Sequence, residues 1–291
     1  MKAAAFRYHR PSNLAEAVRL LATLENARAI AGGQSLMPMM NFRIVAPDHL
    51  IDLGGITEIV GVTESEHMLS VGAMTTQRTL ERSEVVARRC PLITAALRHV
   101  GHQQTRNRGT IGGSLCHLDP GAELPVAAAA LDAVLIAVGP DGERRIPFAE
   151  FSEGLLTNTL LSSELLARIE LPKALPRTGI SFLEFNRRPA DFAVVSVAAS
   201  LVLDAAGYIV RTVVAVGGSF EAPVRLRAVE AASIGRKPEP ALFEEAAREA
   251  EALQCIGDDV YPAEYRQELA GVLVGRALAA ALSDVESLAH A

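Results

Sequence analysis

Two short segments of the chain have the residue types of an anion cradle. Ala31-Gly32-Gly33-Gln34-Ser35 and Thr110-Ile111-Gly112-Gly113-Ser114 each couple a glycine pair to a hydroxyl beside an apolar run. Glycine admits positive φ and lets a ligand approach where a Cβ would block it, so backbone N–H groups can converge on phosphate oxygens, and Ser or Thr adds a hydroxyl donor. A single Gly pair followed by Ser is equally the makings of a tight turn. Two copies, the second beside Arg106, Asn107 and Arg108, suit the two halves of a pyrophosphate. No GxGxxG and no GxxxxGK[ST] occurs, which disfavours a Rossmann nicotinamide site and excludes a P-loop.

Other reactive side chains point to less. His99, His102 and His117 surround the second segment, but their spacing, with no carboxylate set at ligand distance, reads as polar loop residues rather than a metal site. The three cysteines, Cys90, Cys116 and Cys255, form no CxxC pair, so the chain has no ligand set for a zinc or iron–sulfur site, and Cys116 reads as a small filler. Asp119 and Glu123 could form an acid/base pair. Asp119 before Pro120 reads first as a helix-start residue, and Glu123 then falls in the first turn, where the helix dipole favours a carboxylate. No Ser-His-Asp or Cys-His arrangement stands out, so hydrolase chemistry has no support.

The elements that must hold these residues are short. Ser12 to Leu24 has apolar residues at helical spacing behind a Ser/Asn cap. Ala27 to Ala31 reads as a strand running into the first glycine pair. His49–Leu53, Ile56–Val62 and Met68–Val71 read as strands, Thr76–Ser83 and Cys90–Val100 as helices, and Gly101–Gly113 as a polar loop. Val126 to Val138 joins a helix to a strand, and a strand over Ala167–Leu171 precedes Pro172–Gly179, the best linker in the chain. Ile180–Asn186, Phe192–Leu203 and Tyr208–Val216 read as a three-stranded meander, followed by helical sequence that ends in a helix over Ala263–Ala281. The chain is therefore expected to be α+β, with domains over 1–176 and 177–291 and a division of the first near residue 55.

Composition narrows the partners. With 291 residues, 49% hydrophobic and 21% charged, the chain has ample material for a core, and its lack of Trp leaves that core aliphatic. A net charge of −6 without a long basic run speaks against nucleic acid or an anionic membrane surface. No apolar run approaches the length of a membrane span, and the N-terminal stretch has charges where a secretory signal needs an apolar core, so a cytoplasmic protein without membrane insertion is expected.

Taken together, Ala31 to Leu36, Arg106 to Leu115, Asp119-Pro120, Glu123-Leu124-Pro125 and Arg187-Arg188-Pro189-Ala190-Asp191-Phe192-Ala193 resemble the FAD-binding medium subunit of molybdenum hydroxylases, of the aerobic carbon monoxide dehydrogenase type. The resemblance covers nearly the whole chain in the same order. It implies an FAD domain of the vanillyl-alcohol-oxidase (PCMH) type with two subdomains, then a small domain of three-stranded antiparallel sheet plus helices. It assigns pyrophosphate and ribityl contacts to Ala31, Gly32, Gly33, Gln34, Ser35 and Leu36 and to Gly109, Thr110, Ile111, Gly112, Gly113 and Ser114. Glu123 takes the place of an acidic FAD contact, Leu161 offers a backbone contact, and Arg187, Asp191 and Phe192 lie near the flavin.

The resemblance implies non-covalent FAD in this chain, with the molybdopterin cofactor in a large subunit and 2Fe-2S clusters in a small one, assembled as a dimer of heterotrimers. This chain then passes electrons from the clusters to an external acceptor. A self-contained flavin oxidoreductase and a non-catalytic nucleotide-binding protein remain open alternatives. The chain departs from the family's pattern at Cys116-His117, at Ala190 where relatives have Gly, and at Phe192 where they have Tyr or Trp.

Overall fold

The computed structural model describes residues 2–289. Strand β1 (Arg7–His9) leads to helix α1 (Leu14–Thr23), which the Asn13 side chain caps by accepting the Glu16 N–H, with Ala17, Val18 and Leu21 on the buried stripe. Strand β2 (Ala27–Ile30), helix α2 (Leu36–Asn41) and strand β3 (His49–Asp52) complete a parallel sheet in the order β1-β3-β2. The first glycine segment is the turn from β2 to α2. It therefore opens at the carboxyl end of a parallel strand, where ligands bind in parallel sheets.

A second sheet begins with β4 (Val62–Glu64) and β5 (Met68–Gly72). Six short helices follow, α3 (Gln77–Glu81), α4 (Glu84–Arg89), α5 (Pro91–Leu97), α6 (Gln103–Arg108), α7 (Ile111–His117) and α8 (Glu123–Ala130). Strands β6 (Val134–Gly139) and β7 (Gly142–Pro147), the hairpin of β8 (Ser152–Gly154) and β9 (Thr157–Asn158), and β10 (Leu165–Pro172) finish this part. The antiparallel order is β4-β5-β10-β6-β7, and Leu69, Val71, Leu135 and Ile169 pack with Leu92, Leu97, Leu124 and Phe151 in the main core. Every residue of α8 is buried, because its run of alanines lets it lie between two sheets.

The second of those sheets is C-terminal: β11 (Thr178–Phe185), β12 (Val195–Leu203), β13 (Ile209–Gly217) and β14 (Val224–Arg225), all antiparallel. Ala198, Val213 and Ala215 turn one face toward α8 and α5, whereas Val197, Leu201 and Val214 turn the other toward α9 (Arg227–Ser233), α10 (Pro240–Glu251) and α11 (Ala263–Ala289). Period-two alternation sends each face to a different core. Arg225 pins the two parts together. Its guanidinium donates to the Ala129 carbonyl (2.8 Å), at the end of α8, and to Asp132 (3.0 Å), and it also pairs with Glu230 (2.6 Å).

Several expectations are corrected. The Gly101–Gly113 stretch is not a loop: it holds α6 and the start of α7, because Arg106 turns inward and Thr110 caps α7. Ile56–Val62 is not a strand, since Asp52 accepts the Gly54 N–H and two 3-10 turns, Leu53–Gly55 and Thr57–Ile59, follow. Helix α4 went unread, although Ser83 caps it. The C-terminal sheet has a fourth short strand beyond the expected three, β14, which is too short to show a period. The Phe192–Leu203 strand begins only at Val195, and α8 is preceded by Ala122 rather than started by Asp119, whose carboxylate accepts the Gly121 N–H instead.

Candidate functional site

The turn between β2 and α2 presents a row of backbone donors. Among the described residues, the amides of Gly32, Gly33, Gln34 and Ser35 have no protein acceptor. Gly33 has φ +72°, the left-handed region that glycine enters at little cost, and this reverses the chain so that consecutive N–H groups point outward. Gly33 is the only one of the four paired glycines with positive φ; the others serve close approach. A Cβ on Gly32 would stand 2.7 Å from the Arg108 carbonyl carbon and 2.9 Å from Gly109 Cα.

The second segment lies against the first, and it spends its donors differently. A Cβ on Gly113 would meet Ala31 Cβ at 3.4 Å, so the two glycine pairs form one floor. The Ile111 N–H donates to Thr75 (3.1 Å), Gly112 to Ala73 (2.9 Å) and Gly113 to the Thr110 hydroxyl (3.0 Å). Gly112 is required because a Cβ there would overlap the Ala73 backbone. Its backbone thus anchors the floor to β5, and among its described side chains the Ser114 hydroxyl has no intramolecular partner. The pair of glycine loops expected to act alike is one donor loop and one structural support.

A cavity of about 390 Å³ opens over the donor loop, lined by Tyr8, Ala31 to Gln34, Met37, Asp52 and Arg108. The Tyr8 phenol donates to Asp52, and that hydrogen bond holds the phenol above its usual pKa. Arg108 brings a basic residue to the lining. Arg106, expected beside the nest, points away: it makes a forked pair with Glu81 (both 3.1 Å) and donates to the Val100 (2.7 Å) and Gly101 (3.0 Å) carbonyls. It fastens α6 to α3 rather than facing a ligand. Ser35 precedes α2 without a side-chain cap bond, and Leu36 begins the helix.

None of the remaining site residues lines that cavity. Glu123 is buried at the start of α8, and burial pushes its carboxyl up to about 8, with Glu184 and Asp119 adding to the rise against Arg106. The loop between β11 and β12 passes over this helix start: the Ala193 N–H donates to Gly121 (3.2 Å), and a Cβ on Gly121 would lie 3.0 Å from Phe192 Cβ. Phe192 itself is 64% exposed, a large apolar ring left open on the loop. Arg187 and Arg188 both approach Asp191 (3.9 and 3.3 Å), and Ala190 sits at φ +69°, a strained value for a residue with a Cβ. Leu161 is exposed, but its backbone is occupied. Its N–H donates to Glu164 (2.8 Å) and its carbonyl accepts from Glu164 (2.9 Å), which leaves one carbonyl lone pair for a ligand.

Tyr8, Met37 and Asp52 were not among the candidate residues read from the sequence. Arg108, read from the sequence as a basic neighbour of the second segment, does line the cavity. Tyr8 and Asp52 meet only because β1 and β3 pair, which no local pattern announces. His99 and His117 do not converge: His99 lies 3.3 Å from Glu184 and against Phe182, and His117 lies 3.8 Å from Asp119.

The chain as a whole has counterparts among known proteins. Residues 4–174 match the FAD binding domain in molybdopterin dehydrogenase, and residues 180–281 match the CO dehydrogenase flavoprotein C-terminal domain. The chain is 35% identical to the 6-hydroxypseudooxynicotine dehydrogenase complex subunit alpha of Paenarthrobacter nicotinovorans over 97% of its own length and 96% of that protein's. It is 37% identical to the caffeine dehydrogenase subunit beta of a Pseudomonas species, over 99% and 98%. Its fold superposes on a solved chain of the Hydrogenophaga pseudoflava carbon monoxide dehydrogenase that lacks the Mo-pyranopterin moiety of its cofactor, with a TM-score of 0.94, 34% identity and coverage of 98% and 99%. No described helix is long and apolar enough to cross a membrane. The extent of these matches, in sequence and in fold, means that the chain belongs to the FAD-binding medium subunits of the molybdopterin-dependent dehydrogenases, a family of oxidoreductase components.

Proposed function

We propose that this chain is the electron-transfer subunit of a molybdenum hydroxylase, taking electrons from 2Fe-2S clusters in a small subunit, fed in turn by a molybdopterin centre in a large one, and passing them to an external acceptor. The observation that carries this reading is the row of unpartnered amides from Gly32 to Ser35 above the Gly112-Gly113 floor, which fits a pyrophosphate. FAD, bound non-covalently, supplies exchange between the one-electron chemistry of clusters and the chemistry of the acceptor. The protein supplies position. Ala31 to Leu36 and Gly109 to Ser114 hold the pyrophosphate and adjoining ribityl region, Arg108 adds charge in the lining, and Glu123 accepts or donates at the ribityl side. Leu161 contributes its remaining carbonyl lone pair, and Arg187, Asp191 and Phe192 flank the ring. Phe192 can shield a ring face and exclude water but cannot hydrogen-bond to it.

The same reading takes 1–176, itself divided near residue 55, and 177–291 as the two domains. It places the chain in a cytoplasmic dimer of heterotrimers with the large and small subunits. Among the described residues no group of three His, Cys, Asp or Glu could hold a metal, so the cluster and molybdenum sites are assigned to the partners. The experiment is co-expression of this chain with the reading frames beside its gene. Purification by a tag on this chain should recover FAD, iron and molybdenum together, with the FAD released by acid precipitation. A yellow single chain, free of iron and molybdenum, that turned over substrate at the rate of the assembly would instead be a self-contained flavoenzyme.

A further inference from the structure

Tyr8 and Asp52 line the cavity over the donor loop, and neither has a role in the reading so far. Both belong to the small parallel sheet. Tyr8 is the middle residue of β1, and Asp52 ends the central strand, β3. The Tyr8 phenol donates to Oδ2 of Asp52, and the Gly54 N–H donates to Oδ1 (2.8 Å). The carboxylate is thus held in one orientation through both oxygens. A carboxylate offers about four acceptor positions, so roughly half of them stay open to a ligand.

The place of Asp52 in the sheet decides what could use them. In register it sits beside Ile30, the last residue of β2, and the row of unpartnered amides begins just beyond, at Gly32. Neighbouring strands lie about 4.8 Å apart, so Asp52 stands one strand away from the start of that row. A carboxylate accepts and does not donate, and it repels phosphate. Beside an anion cradle it therefore selects a neutral group with hydrogens to give. In a dinucleotide the group joined directly to the pyrophosphate is a sugar, and a carboxylate at the end of a neighbouring parallel strand holds ribose hydroxyls in doubly wound folds for the same reason of reach. Ile30, Met37 and Pro38 add apolar surface to the cavity, which suits a base, and its volume of about 390 Å³ is room for one nucleoside rather than a whole FAD. Glu123, Leu161, Arg187, Asp191 and Phe192, assigned to the flavin half, do not line it.

We propose that this cavity takes the adenosine half of FAD, with Asp52 accepting a hydrogen bond from a ribose hydroxyl and Tyr8 as the positioning residue that holds the carboxylate for it. This rests on the FAD reading above. Asp52 is then a specificity-determining residue, because it reads the half of FAD that FMN lacks.

The test uses the assembly purified through a tag on this chain, stripped of FAD and then reconstituted, with flavin fluorescence as the readout. ADP should compete with FAD. In the wild type, 2′-deoxy-ADP or 3′-deoxy-ADP should compete about tenfold less well than ADP, which is what a hydrogen bond to a charged group contributes. In Asp52→Ala, FAD and ADP should weaken by the same factor, FMN binding should not change, and ADP should lose its advantage over the deoxy forms. A merely structural role for Asp52 would leave that advantage in place. Tyr8→Phe should narrow the advantage without removing it. Circular dichroism checks that each variant folds. Should Asp52→Ala fail to fold, Asp52→Asn, which keeps an acceptor for the Gly54 N–H, should still show a reduced preference for ADP. Equal competition by ADP and both deoxy forms in the wild type overturns the proposal, and so does a preference that survives Asp52→Ala, or Asp52→Asn in its place, at full size. Tight FAD binding with which ADP does not compete overturns it too and leaves the flavin reading intact, whereas an assembly that binds no flavin overturns both.

Discussion

Gly32 and the Arg108 carbonyl are packed so closely that a Cβ at residue 32 would overlap the carbonyl oxygen. The contact ties the donor loop to the end of α6, where Arg108 is among the residues lining the cavity. One missing methyl group thus links the loop that offers amides to the segment that supplies charge.

Gly32→Ala is expected to push these backbones apart and weaken FAD binding at least about tenfold, or ~1.4 kcal/mol. Gly33→Val should be as damaging through a different route, since the φ of +72° disfavours a β-branched residue. Gly113→Val places methyl groups against Ala31 and the Thr110 hydroxyl and should also lose flavin. The flavin-to-protein ratio after desalting reads all three, and full retention by a folded Gly32→Ala variant would show that the two segments need not touch.

Ser114→Ala should be milder. Its hydroxyl caps nothing in the protein, so the fold should keep its melting temperature while FAD binding weakens by about 1 kcal/mol, the worth of a neutral hydrogen bond. Ser35→Ala should behave alike, since Ser35 makes no side-chain cap bond to α2. Isothermal titration with FAD measures both.

Arg106→Ala is expected to act on stability rather than on flavin. It strips Glu81 of its forked partner and leaves two carbonyls unmet, a loss of about 3 kcal/mol. Burial works against the Glu81 charge, but Arg78 and Arg106 outweigh it and hold this carboxyl below its ordinary value. A depressed pKa stabilises the fold above the unfolded value, about 4.3, and that contribution fades as the pH falls through the folded value. Urea unfolding of wild type and Arg106→Ala should therefore differ most at neutral pH and converge in acid.

Arg225→Ala removes the side chain that reaches from β14 to the end of α8. It leaves Glu230 buried without its main cation and Asp132 with Arg211 and Arg227 alone. The expected cost is about 3–5 kcal/mol. Limited proteolysis should then cut between β10 and β11, over residues 173–177, faster than in wild type. An unchanged melting temperature would mean that the apolar contact of α8 with β12 and β13 suffices to join the two parts.

Much of this protein could be read along the chain because its information is local. The stripe of α1, the run of Ala27 to Ile30 into a glycine pair, the antiparallel meander from β11 to β13 and the stretch after Pro172 all follow from periodicity, caps and turn residues within a few positions. The glycine pairs announced a cradle by composition alone. What the chain could not announce was which donors of that cradle are free. Both segments have the same residue types, yet Gly112 and Gly113 spend their amides on Ala73 and Thr110 while Gly32 and Gly33 keep theirs, because only folding brings β5 beneath α7. The direction of Arg106 was equally hidden, since a basic residue beside glycines looks the same whether it faces a phosphate or a buried Glu81. The pairing of Tyr8 with Asp52 joins residues tens of positions apart. Sequence determines which groups are available, and tertiary contact decides which are already satisfied, because a hydrogen bond or a charge is settled by what lies within a few ångströms and not by what lies next along the chain.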